Sequence, residues 1–179
     1  MISRKIFILL TRMPDNGSKA MRLVTRFSYT HASIGLEEDM NTFYSFICKG
    51  FIVEKITRYL RPDREPFPCL LYEMEVSEEV YQNIKEMLNI FVENKKILRY
   101  SYLGIALGLM HISYKSRYHY FCSQFVADIL KNSKAAYLKK DSELYMPKDF
   151  RNLQGVSVRF QGDLQGMLRQ FHILPPLPT

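Results

Sequence analysis

The fold depends on the stretch YTHASIGLEEDMNTFYSF, which occupies residues 29–46. Residues 30–36 are mostly apolar and predict a strand, and the polar, acidic residues 37–40 predict a hairpin loop. Residues 42–48 are dense in aromatic side chains and predict the returning strand. The stretch therefore predicts an antiparallel hairpin.

Other segments predict further strands and helices. Apolar runs and alternating patterns indicate strands, and an apolar stripe at helical spacing after the capping residue Ser77 indicates the clearest helix. Together they predict an α+β fold, in which a small antiparallel sheet packs against helices. The predicted strands cover residues 5–11, 51–56, 70–76 and 156–160, and the predicted helices cover residues 19–27, 78–93, 100–112 and 122–131.

Length and composition limit the class of protein. The chain has 179 residues, of which 47% are hydrophobic and 24% are charged. These values are typical of one folded domain and argue against intrinsic disorder or a large multidomain enzyme. We expect a single domain over residues 1–179, with a loose, proline-rich tail from about residue 173.

The N-terminal segment bears on the compartment. No apolar run approaches the roughly 18 residues of a membrane span. The run at residues 6–10 follows two basic residues but is shorter than the core of a signal peptide, which has about 7 to 15 residues. We therefore expect a cytoplasmic protein with no transmembrane segment.

The net charge of +7 is unevenly distributed along the sequence. Residues 1–30 and residues 114–140 each carry six basic side chains against a single acid. A solvated surface explains this charge, and attraction to an anionic substrate, a membrane surface or nucleic acid is the alternative. No nucleic-acid-binding motif accompanies the charge, so nucleic acid is not the expected partner.

Cys122 is the candidate nucleophile among three cysteines, whose odd number and spacing indicate neither a disulfide framework nor a zinc site. It stands where an aromatic run gives way to a helical pattern. The first turn of a helix stabilises a thiolate, and the N–H groups of Cys122 and Ser123 could stabilise an oxyanion. A small buried core cysteine is the alternative. Cys48 and Cys69 lie in apolar, strand-like surroundings and are expected to be structural.

His31 is the candidate base among four histidines. It opens an apolar strand, where a polar ring has no packing role. His119 is too close to Cys122 in the chain to reach the sulfur easily, His172 lies near the tail, and His111 fits an exposed helix position. A hydrogen-bonded strand histidine is the alternative, but His31 and Cys122 together indicate a cysteine–histidine dyad.

These residues carry a resemblance to a known family. YTHASIGLEEDMNTFYSF, followed far downstream by YFCSQFVADIL at residues 120–130, resembles the circularly permuted branch of the NlpC-type, papain-like cysteine hydrolases. In that branch the strand histidine precedes the helix-start cysteine, as His31 precedes Cys122 here. KIFILLTR and the pattern near Phe51 also resemble a bacterial subgroup, and the resemblance covers roughly residues 4–165.

The resemblance implies further site residues. A third polar residue, on the strand after the histidine, should orient the imidazole; Ser45 is the best candidate, with Tyr44 or a backbone carbonyl as alternatives. Related enzymes often place a tyrosine near the oxyanion, as Tyr118 or Tyr120 would be here, and the expected substrate-binding residues are Tyr44, Tyr118, Tyr120 and Ser123. Simple packing is the alternative for Tyr118 and Tyr120, and it is favoured for either one alone.

The sequence thus predicts a thiol hydrolase or acyltransferase without a metal or organic cofactor. The resemblance implies a small-molecule, peptide or acyl substrate, with cell-wall-derived peptides as the leading class and lipid acyl groups as the second. One alternative is a non-catalytic module that binds a small ligand in the same groove, which the absence of a strong third residue would support. Another is a basic protein that binds RNA or a membrane surface.

Overall fold

The structure is a computed structural model that describes residues 3–12, 26–61 and 65–175. Six of its strands form one antiparallel sheet, and the other two form a short parallel pair. The strands are β1 (Ser3–Thr11), β2 (His31–Leu36), β3 (Thr42–Ile47), β4 (Gly50–Lys55), β5 (Pro68–Ser77), β6 (Arg99–Tyr100), β7 (His119–Tyr120) and β8 (Val156–Asp163). The order across the sheet is β4-β3-β2-β1-β5-β8, and β6 pairs with β7.

Helices pack against the sheet, which confirms the predicted α+β class. The described α-helices are α1 (Glu78–Glu93), α2 (Tyr102–Leu109), α3 (Cys122–Asn132) and α4 (Leu164–Gln170). The hydroxyl of Ser77 accepts a hydrogen bond from the N–H of Val80 and caps α1, as its sequence predicts. Short 3-10 segments at Ile56–Tyr59, Ser142–Leu144 and Pro147–Asn152 connect the longer elements.

Both faces of the sheet are covered, and this explains why residues 6–10 of β1 are an uninterrupted apolar run. Successive side chains of a strand point to opposite faces. Ile6, Ile8 and Leu10 belong to a core that includes residues of α1 and α3, whereas Phe7 and Leu9 belong to a second core that includes residues of α4. A strand buried on both faces needs apolar residues at every position.

An aromatic cluster joins the β3–β4 hairpin to α1 and α3. The rings of Phe46 and Phe51 contact both Phe91 on α1 and Phe125 on α3, with centroid separations of 5.3 to 6.1 Å. Tyr120 packs on Phe46 and Phe91 from β7. The cluster fixes the hairpin against the start of α3, where Cys122 lies.

Some sequence-based expectations are corrected or lie outside the described residues. The predicted helix at residues 19–27 lies almost wholly outside them. The sequence did not predict α4, whose first turn is capped by the Asp163 carboxylate. Ile173 and Leu174 pack half-buried against the second core, so the loose tail predicted from about residue 173 is wrong for these two residues. Among the described residues, no helix has the length and apolar character needed to cross a bilayer.

Gly50 closes the tight turn between β3 and β4. The strands are joined by only Cys48 and Lys49, and Gly50 has a φ of +103°. A Cβ atom at Gly50 would lie 2.5 Å from the carbonyl oxygen of Leu98, just before β6. Both the backbone conformation and the close approach therefore require glycine.

We expect Gly50→Ala to lower the free energy of unfolding by about 2–4 kcal/mol, because it adds a backbone clash to an unfavourable φ. Gly155→Ala is the matched control: Gly155 has a φ of +79° but open space around its Cα. That variant should lose only about 1 kcal/mol. Urea denaturation of both variants provides the measurement, and equal losses would contradict the role given to the Leu98 contact.

Candidate active site

Cys122 is the first residue of α3, as the sequence predicts. The preceding residue, Phe121, is extended and provides no side-chain cap. The N–H groups of the first helical turn have no partner within the helix, so they remain available to a negatively charged group. Cys122 itself is only 5% exposed. The sulfur therefore lies in a sheltered site beside the positive end of the helix dipole.

His31 is the first residue of β2, and the structure brings it to the thiol. The Cys122 Sγ atom lies 4.0 Å from the carbonyl oxygen of Thr30, the residue just before His31. The neighbouring Cys122 side chain also raises the pKa of the His31 ring. The start of α3 and the start of β2 thus meet, which is the juxtaposition that the sequence predicts.

Glu54 is the acidic partner of the histidine. Its Oε1 atom lies 2.6 Å from the Nε2 atom of His31, and both side chains are buried. Glu54 lies on β4, directly after the apolar residues GFIV of the same strand. The site therefore contains a thiol, an imidazole and a carboxylate contributed by a helix and two strands.

The electrostatics of this site favour the imidazolium form of His31. Burial disfavours the charged ring, but the charge of Glu54, the neighbouring Cys122 side chain and the hydrogen bond with Glu54 outweigh it and raise the pKa of His31 to about 10. The ring is therefore expected to carry a proton at neutral pH. A protonated ring can stabilise a neighbouring thiolate and can later give its proton to a leaving group.

Glu54, rather than the predicted third residue Ser45, contacts the His31 ring. The Ser45 hydroxyl is fully buried and donates a hydrogen bond to the carbonyl oxygen of Ala32 at 2.6 Å. Its proton is therefore engaged by the backbone of β2, and the observed partner of the His31 ring lies one strand further along the chain. The resemblance places the orienting group on the strand after the histidine, which is β3, whereas Glu54 lies on β4, so the sequence did not indicate it.

The predicted substrate-binding residues have different environments. Tyr44 is half-buried and stacks on Phe51, and Tyr120 belongs to the aromatic cluster, so both rings pack. The Ser123 hydroxyl donates to the carbonyl oxygen of Tyr145 at 2.7 Å. Tyr118 is exposed. Its exposure leaves Tyr118 as the member of this set whose ring is most open to a ligand.

The other two cysteines differ from each other. Cys69 is fully buried, and burial together with the charge of Asp163 raises the pKa of its thiol to about 12, as suits a structural cysteine. Cys48 is exposed in the turn between β3 and β4, so its predicted place within an apolar strand is wrong. Both are free thiols, as is Cys122.

The part of the chain that the structure describes shows no metal-binding cluster. Across residues 3–12, 26–61 and 65–175, no group of three or more His, Cys, Asp or Glu side chains is placed to hold a metal ion. No protein-family model matches the sequence, and no curated protein matches it.

We expect Glu54→Gln to lower the pKa of His31, because burial would then act on the ring without the opposing carboxylate charge. NMR titration of the His31 ring provides the measurement. In the unaltered protein the ring should stay protonated between pH 6 and 8, and in the variant it should lose its proton within or below that range. An unchanged titration would contradict the proposed coupling.

The same variant should lose about 3 kcal/mol of stability at pH 7, because it breaks a buried pair. The folded-state pKa of His31 lies above the unfolded value near 6.5. Stabilisation from the pair is therefore fully present below about pH 6.5 and is lost as the pH rises through about 10. Urea denaturation should show the difference between the two proteins shrinking as the pH rises from about 6.5 to about 10, with Ser45→Ala, which leaves the pair intact, as the control.

Proposed function

We propose that this protein is a thiol hydrolase or acyltransferase that cleaves an amide or ester bond through a thioester on Cys122. The single observation that carries the proposal is the 2.6 Å contact between His31 and Glu54 beside a cysteine at a helix start. A cysteine nucleophile needs a base within hydrogen-bonding reach and a third group that orients the base. These three residues have the types and the positions for those roles.

The reaction follows from the proton and charge inventory of the site. The Cys122 thiolate attacks the substrate carbonyl carbon, and the N–H groups at the start of α3 stabilise the oxyanion. The His31 imidazolium gives its proton to the leaving amine or alcohol as the thioester forms. The neutral ring then takes a proton from water, or from an acceptor nucleophile, which attacks the thioester and releases the thiolate. Glu54 holds the ring and stabilises its positive charge.

The substrate class follows from the resemblance to permuted NlpC-type hydrolases. That resemblance supports a cell-wall-derived peptide first and a lipid acyl group second. The rival proposal is a non-catalytic module that binds a small ligand. The main support for this module is the absence of a strong third residue beside the histidine. The buried carboxylate of Glu54, which contacts His31, counts against it. A covalent intermediate on Cys122 separates the two proposals.

We expect iodoacetamide at pH 6 to alkylate Cys122 selectively, because the protonated His31 ring and the helix start both favour the thiolate there. An ordinary thiol is under about 1% ionised at this pH. His31→Ala should slow the labelling of Cys122 at least tenfold, Glu54→Gln should slow it less, and Ser45→Ala should leave it unchanged. Mass spectrometry of labelled peptides measures the three cysteines separately.

In that experiment Cys48 serves as the exposed comparison and Cys69 as the buried one. Labelling of Cys122 no faster than that of Cys48, or no effect of His31→Ala, would contradict the catalytic arrangement. A folded His31→Ala protein, established by its circular dichroism spectrum, is needed for the comparison to be valid.

The chemical step itself is tested with p-nitrophenyl acetate as an activated acyl donor. We expect a burst of up to one p-nitrophenolate per chain and one acetyl group on Cys122. Cys122→Ser should abolish the burst, and His31→Ala should slow it by about 10²-fold or more, the usual contribution of a general base. Cys48→Ser is the matched control and should retain the burst. Acetylation that follows Cys48 rather than Cys122 would favour the binding-module alternative.

A further inference from the structure

The helix α2 packs against the rest of the protein through glycines rather than through large apolar side chains. Its sequence, YLGIALGL, is apolar throughout, yet the residues that it buries are Gly104 and Gly108. Tyr102 and Leu103 are exposed. An ordinary surface helix buries its large apolar side chains and exposes its polar ones. This helix instead contacts the protein through its smallest residues and presents large apolar side chains outward.

Close packing requires this orientation. A Cβ atom on Gly104 would lie 2.6 Å from the Ser101 Oγ atom and 3.3 Å from the ring of Phe121. A Cβ atom on Gly108 would lie 3.0 Å from both the Glu143 carbonyl oxygen and the Met146 methyl group. The two glycines therefore let α2 approach the body of the protein closely, and this fixes which side of the helix is left outside.

The apolar surface continues beyond α2. The strands β6 and β7 pair with each other, and the residues between them form an excursion that contains α2. The N–H of Ile112 donates to the carbonyl of Leu107, so the segment after α2 stays attached to the helix. Six large side chains of this excursion are between 39% and 65% exposed. We define the α2 surface by these residues: Tyr102, Leu103, Met110, Ile112, Tyr114 and Tyr118.

The chain segment that carries the α2 surface is basic. No Asp or Glu occurs in residues 94–127, whereas Lys95, Lys96, Arg99, Lys115 and Arg117 do. Lys115 approaches Glu143 at 4.0 Å but remains 70% exposed, and the Arg117 guanidinium stacks over the Tyr118 ring. The exposed apolar side chains are thus accompanied by cations alone within this stretch of chain.

We propose that the α2 surface docks on an anionic phospholipid membrane. Leucine, methionine and isoleucine side chains enter the boundary between headgroups and acyl chains, and tyrosine rings reside at the headgroup level. Lysine and arginine side chains gain energy near anionic headgroups. The α2 surface offers all three components on one short excursion, and the helix lies on the membrane without crossing it.

Other anionic or apolar partners fit the surface less well. RNA would bind to the basic side chains and stack on the aromatic rings, but it would leave Leu103, Met110 and Ile112 exposed to water. A second copy of the chain would cover the apolar residues, but it would place two basic surfaces against each other. An anionic bilayer satisfies both the apolar and the basic character.

The test uses sedimentation of the full-length protein with vesicles. Vesicles of phosphatidylcholine with phosphatidylglycerol should bind the protein at least tenfold more strongly than vesicles of phosphatidylcholine alone. The variant Leu103→Ser/Met110→Ser/Ile112→Ser should lose at least tenfold in binding to the anionic vesicles. The variant Lys115→Gln/Arg117→Gln should lose about fivefold for each charge removed.

The matched control is Tyr137→Ser/Val158→Ser, which removes two exposed apolar side chains outside the α2 surface. It should bind the vesicles like the unaltered protein. Thermal unfolding of each variant checks the fold, and the charge variant tests the proposal even if the apolar variant is destabilised. Loss of binding in the control equal to that in the apolar variant would overturn the proposal.

Three further outcomes would overturn it. These are equal binding to neutral and anionic vesicles, binding to poly(U) RNA that is stronger than vesicle binding and unaffected by the apolar variant, and a dimer in solution that the apolar variant dissociates without any vesicle binding. Membrane docking does not depend on the proposed chemistry. Cys122→Ser should bind vesicles normally, and the apolar variant should retain the p-nitrophenolate burst, so the two proposals fail separately.

Discussion

A carboxylate and an imidazole lie 2.6 Å apart inside this protein, and the site depends on that contact. Ionised groups are costly to bury, and a pair of apolar side chains of similar size would often stabilise the fold as well or better. Stability alone therefore does not explain why Glu54 and His31 are there. A buried carboxylate that holds a protonated ring beside a thiol does have a chemical use, because it sets both the charge and the orientation of the ring.

The scaffold holds the three groups from different parts of the chain. His31 is fixed by β2, which pairs with β1, and Glu54 by β4, whose tight connection to β3 requires glycine at position 50. Cys122 is fixed by α3. The Phe125 ring of this helix packs against the β3–β4 hairpin in the aromatic cluster. The same ring contacts that bury the core therefore set the distance between the helix and the strands.

Local patterns in the sequence were sufficient for the elements that carry the cysteine and the histidine. The Ser77 cap and apolar stripe predicted the bounds of α1, and the change from an aromatic run to a helical pattern predicted the start of α3 at Cys122. The hairpin pattern predicted that His31 opens a strand to within one residue. Each of these signals depends on side chains that are close together in the chain.

Glu54 and α2 were harder to interpret because their meaning depends on distant neighbours. A glutamate within an apolar strand signals an unusual environment, but the partner that explains it, His31, lies 23 residues away in the chain. The sequence predicted a helix around residues 100–112. Because this segment is apolar on every side, its pattern cannot show which side of the helix faces the protein. That side is decided by Phe121, Glu143 and Met146, which approach the glycines of α2.

Phe121 connects the two proposals made for this protein. Its ring is 1% exposed and lies beside both glycines of α2, and the same residue is the N-cap of α3, directly before Cys122. The helix that presents the α2 surface is therefore packed on the residue that starts the helix of the candidate nucleophile. Docking through the α2 surface would therefore place the bilayer on the opposite side of α2 from the Phe121 ring. If both proposals hold, the docked protein works at a lipid surface, and this adds weight to the second proposed substrate class, a lipid acyl group, which a membrane supplies and a water-soluble peptide does not need.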